Sequence, residues 1–193
     1  MLIGLGLVIG GSGSLYVLFV FMPTYAVKVL GFDLKAALLA PIVAGLTVAI
    51  FCPLMGRLSD TIGQKPSLIA SAAGLLITLY PSFAWLDHNP SVTHLALVEF
   101  LFGFLFSLGG GPFNAALAEM FPPELRATGM AVAYNLGVAL FGGLAPFAVA
   151  WLIRHTGDPL SPGYYVAACV SVSLVAAVAL PGTSRASAAA SAG

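Results

Sequence analysis

Charge is what this sequence has least of. Seven Lys/Arg and seven Asp/Glu make up 7% of 193 residues, and the formal net charge is zero. A water-soluble domain of this size needs several times more charge to cover its surface, so a solvated globular fold is excluded. There is no basic run, which removes the electrostatic footprint of a nucleic-acid-binding protein. Cysteine is scarce too. Cys52 and Cys169 both lie inside apolar runs, so they read as small core residues rather than a disulfide framework. The alternating segments of about ten residues that build a transmembrane β-barrel are missing. A cleavable leader is not expected: Met1 to Gly11 carries no Lys or Arg, and its apolar run continues to about Leu30.

What is present is apolar: 60% of residues are hydrophobic and the mean hydropathy is +1.03. Six apolar stretches, approximately 2–30, 36–56, 66–86, 94–118, 127–153 and 162–181, alternate with short polar breaks. About 20 helical residues cross a hydrocarbon core of about 30 Å, so each stretch is long enough to span. The fold expected is an all-α membrane protein with six transmembrane helices over residues 1–182, followed by a flexible, Ser/Ala-rich tail over 183–193. Pro23 and the run Gly109-Gly110-Gly111-Pro112 are candidate kinks. Glycines within the spans, such as Gly6, Gly10 and Gly103, permit close helix contact where packing replaces the hydrophobic effect. Charges gather in the breaks. If the termini are cytoplasmic, Arg57, Lys65, Arg126 and Arg185 lie inside against Lys28, Lys35 and Arg154 outside, a weak bias.

The second break reads Gly56-Arg57-Leu58-Ser59-Asp60-Thr61-Ile62-Gly63-Gln64-Lys65. Gly56 permits close contact and Gly63 a sharp reversal, and Asp60 can accept hydrogen bonds from a helix N-terminus or a cation. A solvated loop carrying inside positive charge is the plainer reading. The run resembles the signature loop of the major facilitator superfamily, G-x-L-[AS]-D-x-x-G-[RK]-[RK]. It departs from it at Gln64, where a basic residue is usual, which implies a weaker charge network. The resemblance implies a cytoplasmic loop, with both termini inside.

The fourth break carries Glu119-Met120-Phe121-Pro122-Pro123-Glu124-Leu125-Arg126-Ala127-Thr128-Gly129. Read by residue type alone, the prolines end one helix, Glu124 suits the first turn of the next and Arg126 stays near headgroups. The stretch also resembles the E-x-F-P-x-x-x-R-x-x-G segment between helices ten and eleven of the superfamily's metabolite:proton symporters. Similarity continues through Tyr134-Asn135-Leu136-Gly137 and Gly142-Gly143, and upstream through Tyr16 to Tyr25. Together these matches imply helices seven to twelve, the C-terminal half of a major facilitator fold built from inverted three-helix repeats.

Glu99 is the one acidic residue well inside a span, about one and a half turns from the start of the fourth stretch. Intramembrane ionisable groups are costly and usually face a cavity or a partner, so Glu99 is a candidate proton carrier. The alternative is hydration at the nearby interface. Tyr16, Asn114, Tyr134 and Asn135 are polar candidates for lining the same cavity, although each is individually more typical of a helix–helix hydrogen bond. Gly10-Gly11-Ser12-Gly13 fits the G-x-S-G of intramembrane serine proteases, but His88 and His155 fall in breaks and His94 at a helix start. No activating histidine lies within a span, and an enzyme is not expected. Neither a cofactor nor a metal is expected.

The resemblance implies alternating-access, proton-coupled symport of small organic anions or zwitterions such as di- and tricarboxylates, aromatic ring acids or betaines, in the bacterial inner (plasma) membrane. A complete carrier of this kind has about twelve spans, and no intramembrane Lys or Arg is present to pair with an anion. The expectation is therefore a half that works with a separate or missing N-terminal six-helix half, or as a homodimer, in contact with lipid, solute and proton. A non-transporting scaffold and a standalone six-helix channel are the alternatives, and the second would need more convergent polar groups than the spans supply.

Overall fold

The computed structural model describes residues 2–180; the expected tail, 183–193, lies outside the described residues. Six long helices are present: α1 Leu2–Lys28, α2 Leu34–Ile62, α3 Gln64–His88, α4 Val92–Glu119, α5 Arg126–Thr156 and α6 Ser161–Ala179. Each is long and apolar enough to cross a bilayer, and among the described residues there is no strand.

The breaks between helices are made by local chemistry. Asp33 accepts a hydrogen bond from Ala36 N at 3.4 Å and so caps the first turn of α2. Gly157 closes α5 in the left-handed conformation, φ 68°, with its N–H on Ile153 O at 2.9 Å. The second break is shorter than its charge pattern suggests. Helix α2 continues through Gly56, Arg57 and Asp60 to Ile62, and Gly63 at φ 98° makes the whole turn before Gln64 opens α3. The expected charged loop is thus two helix ends joined by one residue. A side chain at Gly63 would be strained by that positive φ.

Three helices are interrupted, though not by the Gly109–Pro112 run, which stays inside an unbroken α4. Helix α2 has a turn at Leu38, between Leu34–Ala37 and Leu39–Ile62, while α1 widens into a π segment at Tyr16–Phe21 and α5 into one at Val138–Gly143. Each π segment is followed closely by a proline, Pro23 and Pro146. A proline ring clashes with the carbonyl four residues earlier and leaves it without a donor, and a widened turn is one way to relieve both.

Glycine contacts give the directions of the helices. Across α1 and α6, Gly6 faces Ala176, Gly10 faces Ser173 and Gly13 faces Cys169, so these helices run antiparallel. Helices α3 and α4 are likewise antiparallel, with Gly74 on Leu105 and Gly109 on Ser71. Across α2 and α4, Thr47 meets Gly103, Cys52 meets Gly110 and Gly56 meets Gly111, so these two run parallel. Helices α1 and α5 are also parallel, with Val8 on Gly137 and Tyr16 on Gly142. Exchanging α1 with α4, α2 with α5 and α3 with α6 turns each of these pairs into another, and the remaining α3–α6 pair into itself. The bundle is therefore two three-helix units related by inversion, the arrangement of half a major facilitator fold.

The same exchange relates the two most peripheral helices. Only 17% of the apolar segment of α2 and 22% of that of α5 is buried, against 67% for α1. Lipid or another protein must cover those faces. One end of the interior is a buried aromatic cluster in which Tyr25, Phe83 and Phe102 pack edge-on or tilted.

Candidate functional site

Between the helices lies a cavity of about 330 Å³ whose wall draws on all six. Helix α1 contributes Ser14 and Tyr16, α2 Cys52, α3 Ser71, α4 Phe106, Phe113 and Asn114, α5 Tyr134, and α6 Val170 and Ser173. Tyr16 belongs to the π segment of α1, and its ring lies against Gly142 in the π segment of α5, 2.8 Å from where a Cβ would sit. The two distorted segments thus meet beside the cavity. Such segments often mark functional positions in helices.

Of the polar candidates, Tyr16, Asn114 and Tyr134 line the cavity. Asn135 does not: it is exposed on the outer face of α5 and donates to Ala131 O of its own helix at 2.8 Å. Glu99 does not line the cavity either. It precedes Gly103 by one helical turn, on the α4 face that packs against Ala44 and Thr47 of α2. Seven residues of helical rise, roughly 10 Å, separate it from Phe106 on the cavity wall. Glu99 is 0% exposed within the bundle, a burial that a hydrated interfacial position does not call for. Neither of its carboxylate oxygens has a hydrogen-bond partner. Burying a carboxylate without donors costs several kcal/mol in its ionised form, about 2.5–3.5 kcal/mol even on the mildest membrane scales.

Sequence reasoning missed Ser14. The residue is 1% exposed and its Oγ has no partner. Several other hydroxyls in these helices bond to the carbonyl one turn earlier, as Ser12 does to Val8 O at 2.7 Å and Thr47 to Val43 O at 2.8 Å, or across to another helix, as Ser71 does to Leu105 O at 2.7 Å. A serine in a Gly/Ser-rich helix carries no signal that separates the two behaviours. Ser12 itself, the candidate nucleophile of the G-x-S-G match, is buried, while Gly10 and Gly13 seat α6; the match is a packing device.

The two motif regions meet at one end of the bundle. Gln64 Nε2 donates to Glu119 Oε1 at 2.7 Å, tying the start of α3 to the end of α4. The residue that departs from the signature pattern therefore links the two motifs through a neutral donor. Lys65 Nζ donates to Val178 O at 2.6 Å and Leu180 O at 2.7 Å, holding the C-terminal carbonyls of α6. In the second motif, Pro122, Glu124 and Arg126 are exposed, whereas the buried Phe121 ring presses its Cδ1–Cε1 edge on Gly129, with Cγ 3.0 Å from a would-be Cβ. That contact folds the 120–125 segment back onto α5. Gly56 and Gly111 bring the backbones of α2 and α4 together just above this end, with Arg57 and Asp60 on the exposed side of α2.

Comparison with known proteins follows the same lines. Residues 1–146 match the family model of the Major Facilitator Superfamily. The chain is 34% identical over 167 residues to a citrate-proton symporter of Salmonella typhi, covering 86% of this chain and 38% of that one. It is 32% identical over 157 residues to a Staphylococcus aureus protein named for proline/betaine transport, covering 79% and 33% respectively. It is 28% identical over 183 residues to an ectoine/proline transporter of Corynebacterium glutamicum, covering 93% and 35%. The chain thus spans under two fifths of the length of each of these relatives.

Proposed function

The chain belongs to the major facilitator superfamily, a family of membrane transporters rather than enzymes, and on that premise we propose that it is one half of a proton-coupled symporter for small organic anions or zwitterions. The half corresponds to helices seven to twelve, sits in the inner membrane with both ends cytoplasmic, and completes its transport path with a second six-helix bundle. That bundle is either an N-terminal half or a second copy of the chain.

The observation that carries the proposal is Glu99. A carboxyl that is fully buried one turn before the Gly103–Thr47 contact, with both oxygens unpartnered, contributes no hydrogen bond that holds the bundle together. A proton carrier needs such a group: one that is stable when protonated and must be exposed or partnered when it is not. Because Glu99 lies on the α2–α4 seam rather than on the cavity wall, proton and solute do not share a ligand. Coupling then runs through the seam. A change at Glu99 alters how α2 and α4 fit, and the same pair of helices meets again at Gly56 and Gly111, next to the signature turn.

The test is Glu99→Gln in the assembled carrier, assayed in proteoliposomes with an imposed pH gradient. The neutral isostere mimics the protonated acid, so gradient-driven accumulation disappears while solute exchange at equal pH persists. Accumulation at the wild-type level in this variant removes Glu99 from the mechanism.

A further inference from the structure

The widened turn in α5 is held from another helix. In a π segment each carbonyl accepts from the N–H five residues on. Phe141 lies in the segment Val138–Gly143, and the residue in that place is Pro146, which has no N–H to give. The Tyr165 hydroxyl of α6 donates to Phe141 O instead, at 2.8 Å. Among the described residues, one other side chain from a different helix donates to a carbonyl of α5. That is Ser12 on Gly137 O at 3.3 Å, and its shorter bond goes to Val8 O of its own helix at 2.7 Å. Tyr165 is therefore the principal polar tie between the π segment and the rest of the bundle.

The segment it holds shapes the cavity. Val138 lines the wall, and Gly142, next to Phe141, seats the ring of Tyr16, which also lines it. The ring's Cδ2 is 2.8 Å and Ser12 Cβ 3.2 Å from where a Cβ on Gly142 would sit, so the fit depends on how the segment is turned. Closing the widened turn to a regular α turn would rotate its two flanks against each other and carry Gly142 from under the ring. Tyr165 itself is half-buried and does not line the cavity. One turn on, Cys169 lies against Gly13 of α1, so a single face of α6 holds both helices that carry π segments.

We propose that Tyr165 is a positioning residue of the cavity wall: its hydroxyl replaces the N–H missing at Pro146, keeps the α5 turn widened, and so sets where Tyr16 and Val138 lie. The transporter reading enters only in making that wall the solute's. The chain of contacts from Tyr165 through Phe141 and Gly142 to Tyr16 is tested without it. Tyr165→Phe keeps the ring and its packing but removes the donor to Phe141 O. Pro146→Ala supplies an N–H, so the Tyr165 hydroxyl becomes redundant whichever turn α5 then adopts. The effects of the two substitutions should therefore not add.

The test is NMR of the full chain in lipid nanodiscs with its tyrosine Cζ atoms isotopically labelled, the Tyr16 signal being identified by its loss in Tyr16→Phe. Tyr165→Phe should shift or split the Tyr16 signal. Tyr164→Phe, which removes the hydroxyl of an exposed neighbour, should leave it in place. In the Pro146→Ala background, Tyr165→Phe should change the Tyr16 signal no further. If Tyr165→Phe alone fails to fold by thermal unfolding, Pro146→Ala should rescue it, and no rescue counts against the proposal. A Tyr16 signal unmoved by Tyr165→Phe, or moved equally in both backgrounds, overturns it. Either result leaves the symporter reading to the Glu99→Gln uptake assay.

Discussion

The contact between Gly56 and Gly111 gives a prediction in which two chemically identical changes should behave differently. A Cβ added at Gly111 would sit 2.9 Å from both Cys52 O and Gly56 Cα, and closer still to Gly56 N. All are backbone atoms, which no rotamer change can move. A Cβ added at Gly56 would meet only Gly111 backbone atoms at 3.8 to 4.0 Å, which is ordinary contact. Restoring such contact for Gly111→Ala requires α2 and α4 to part by roughly 0.5–1 Å, and overpacking of this kind costs about 1–3 kcal/mol. The gain in helix propensity on replacing Gly by Ala, about 1 kcal/mol, is common to both variants and cancels in the comparison. Gly111→Ala should therefore be less stable than Gly56→Ala by about 1–3 kcal/mol, measured by thermal unfolding in nanodiscs. Gly56→Ala itself should be neutral or slightly stabilising. Equal stability of the two variants, or Gly56→Ala being the worse, would refute the parallel seam and its register.

The Phe121–Gly129 contact predicts non-additivity. Phe121→Ala should cost about 3 kcal/mol through lost burial, and Gly129→Ala should be harmful in the wild type but harmless in the Phe121→Ala background; additive effects in that cycle would show the two do not touch. Lys65→Met should free the Val178 and Leu180 carbonyls and speed amide hydrogen exchange in the last turn of α6, with a loss of roughly 0.3–1 kcal/mol; unchanged exchange there would show that the lysine holds nothing. Asp60→Asn, at the exposed end of α2, should slow transport by the assembled carrier more than it weakens solute binding, because it shifts the balance between access states. An altered affinity with an unaltered rate would contradict that role.

The six spans were legible because in lipid the backbone must be hydrogen-bonded within each segment, so length and apolarity alone locate the helices. Boundaries were less so. The charged run from Arg57 to Lys65 looks like a loop by composition, but charged residues at the membrane surface do not end a helix; only Gly63, with its positive φ, does. Proline was an ambiguous signal for the opposite reason. Pro53, Pro81 and Pro112 sit inside regular helices, whereas Pro23 and Pro146 follow widened turns, and residue type alone does not separate the two cases.

Facing direction was the least legible property of the site. Tyr134 and Asn135 are neighbours, and a helix turns about 100° between them, so one lines the cavity and the other faces outward. The rarity of acids in the spans singled out Glu99, but not the side of α4 it occupies. Gly103, one turn on and pressed against Thr47, places it. Ser14 had no counterpart in the sequence, because a free hydroxyl and a back-bonded one are written with the same letter.

Glu99, the cavity and the signature turn all serve a single central claim, that this bundle is half of a carrier. The most direct test compares solute uptake into proteoliposomes holding the chain alone with uptake into those holding the chain and a complementary six-helix half, under the same inward proton gradient. The chain alone should bind solute but not concentrate it, and accumulation should appear only with the second half or, if the chain pairs with itself, only in preparations where it is dimeric. Concentrative uptake by the monomeric chain would contradict the account.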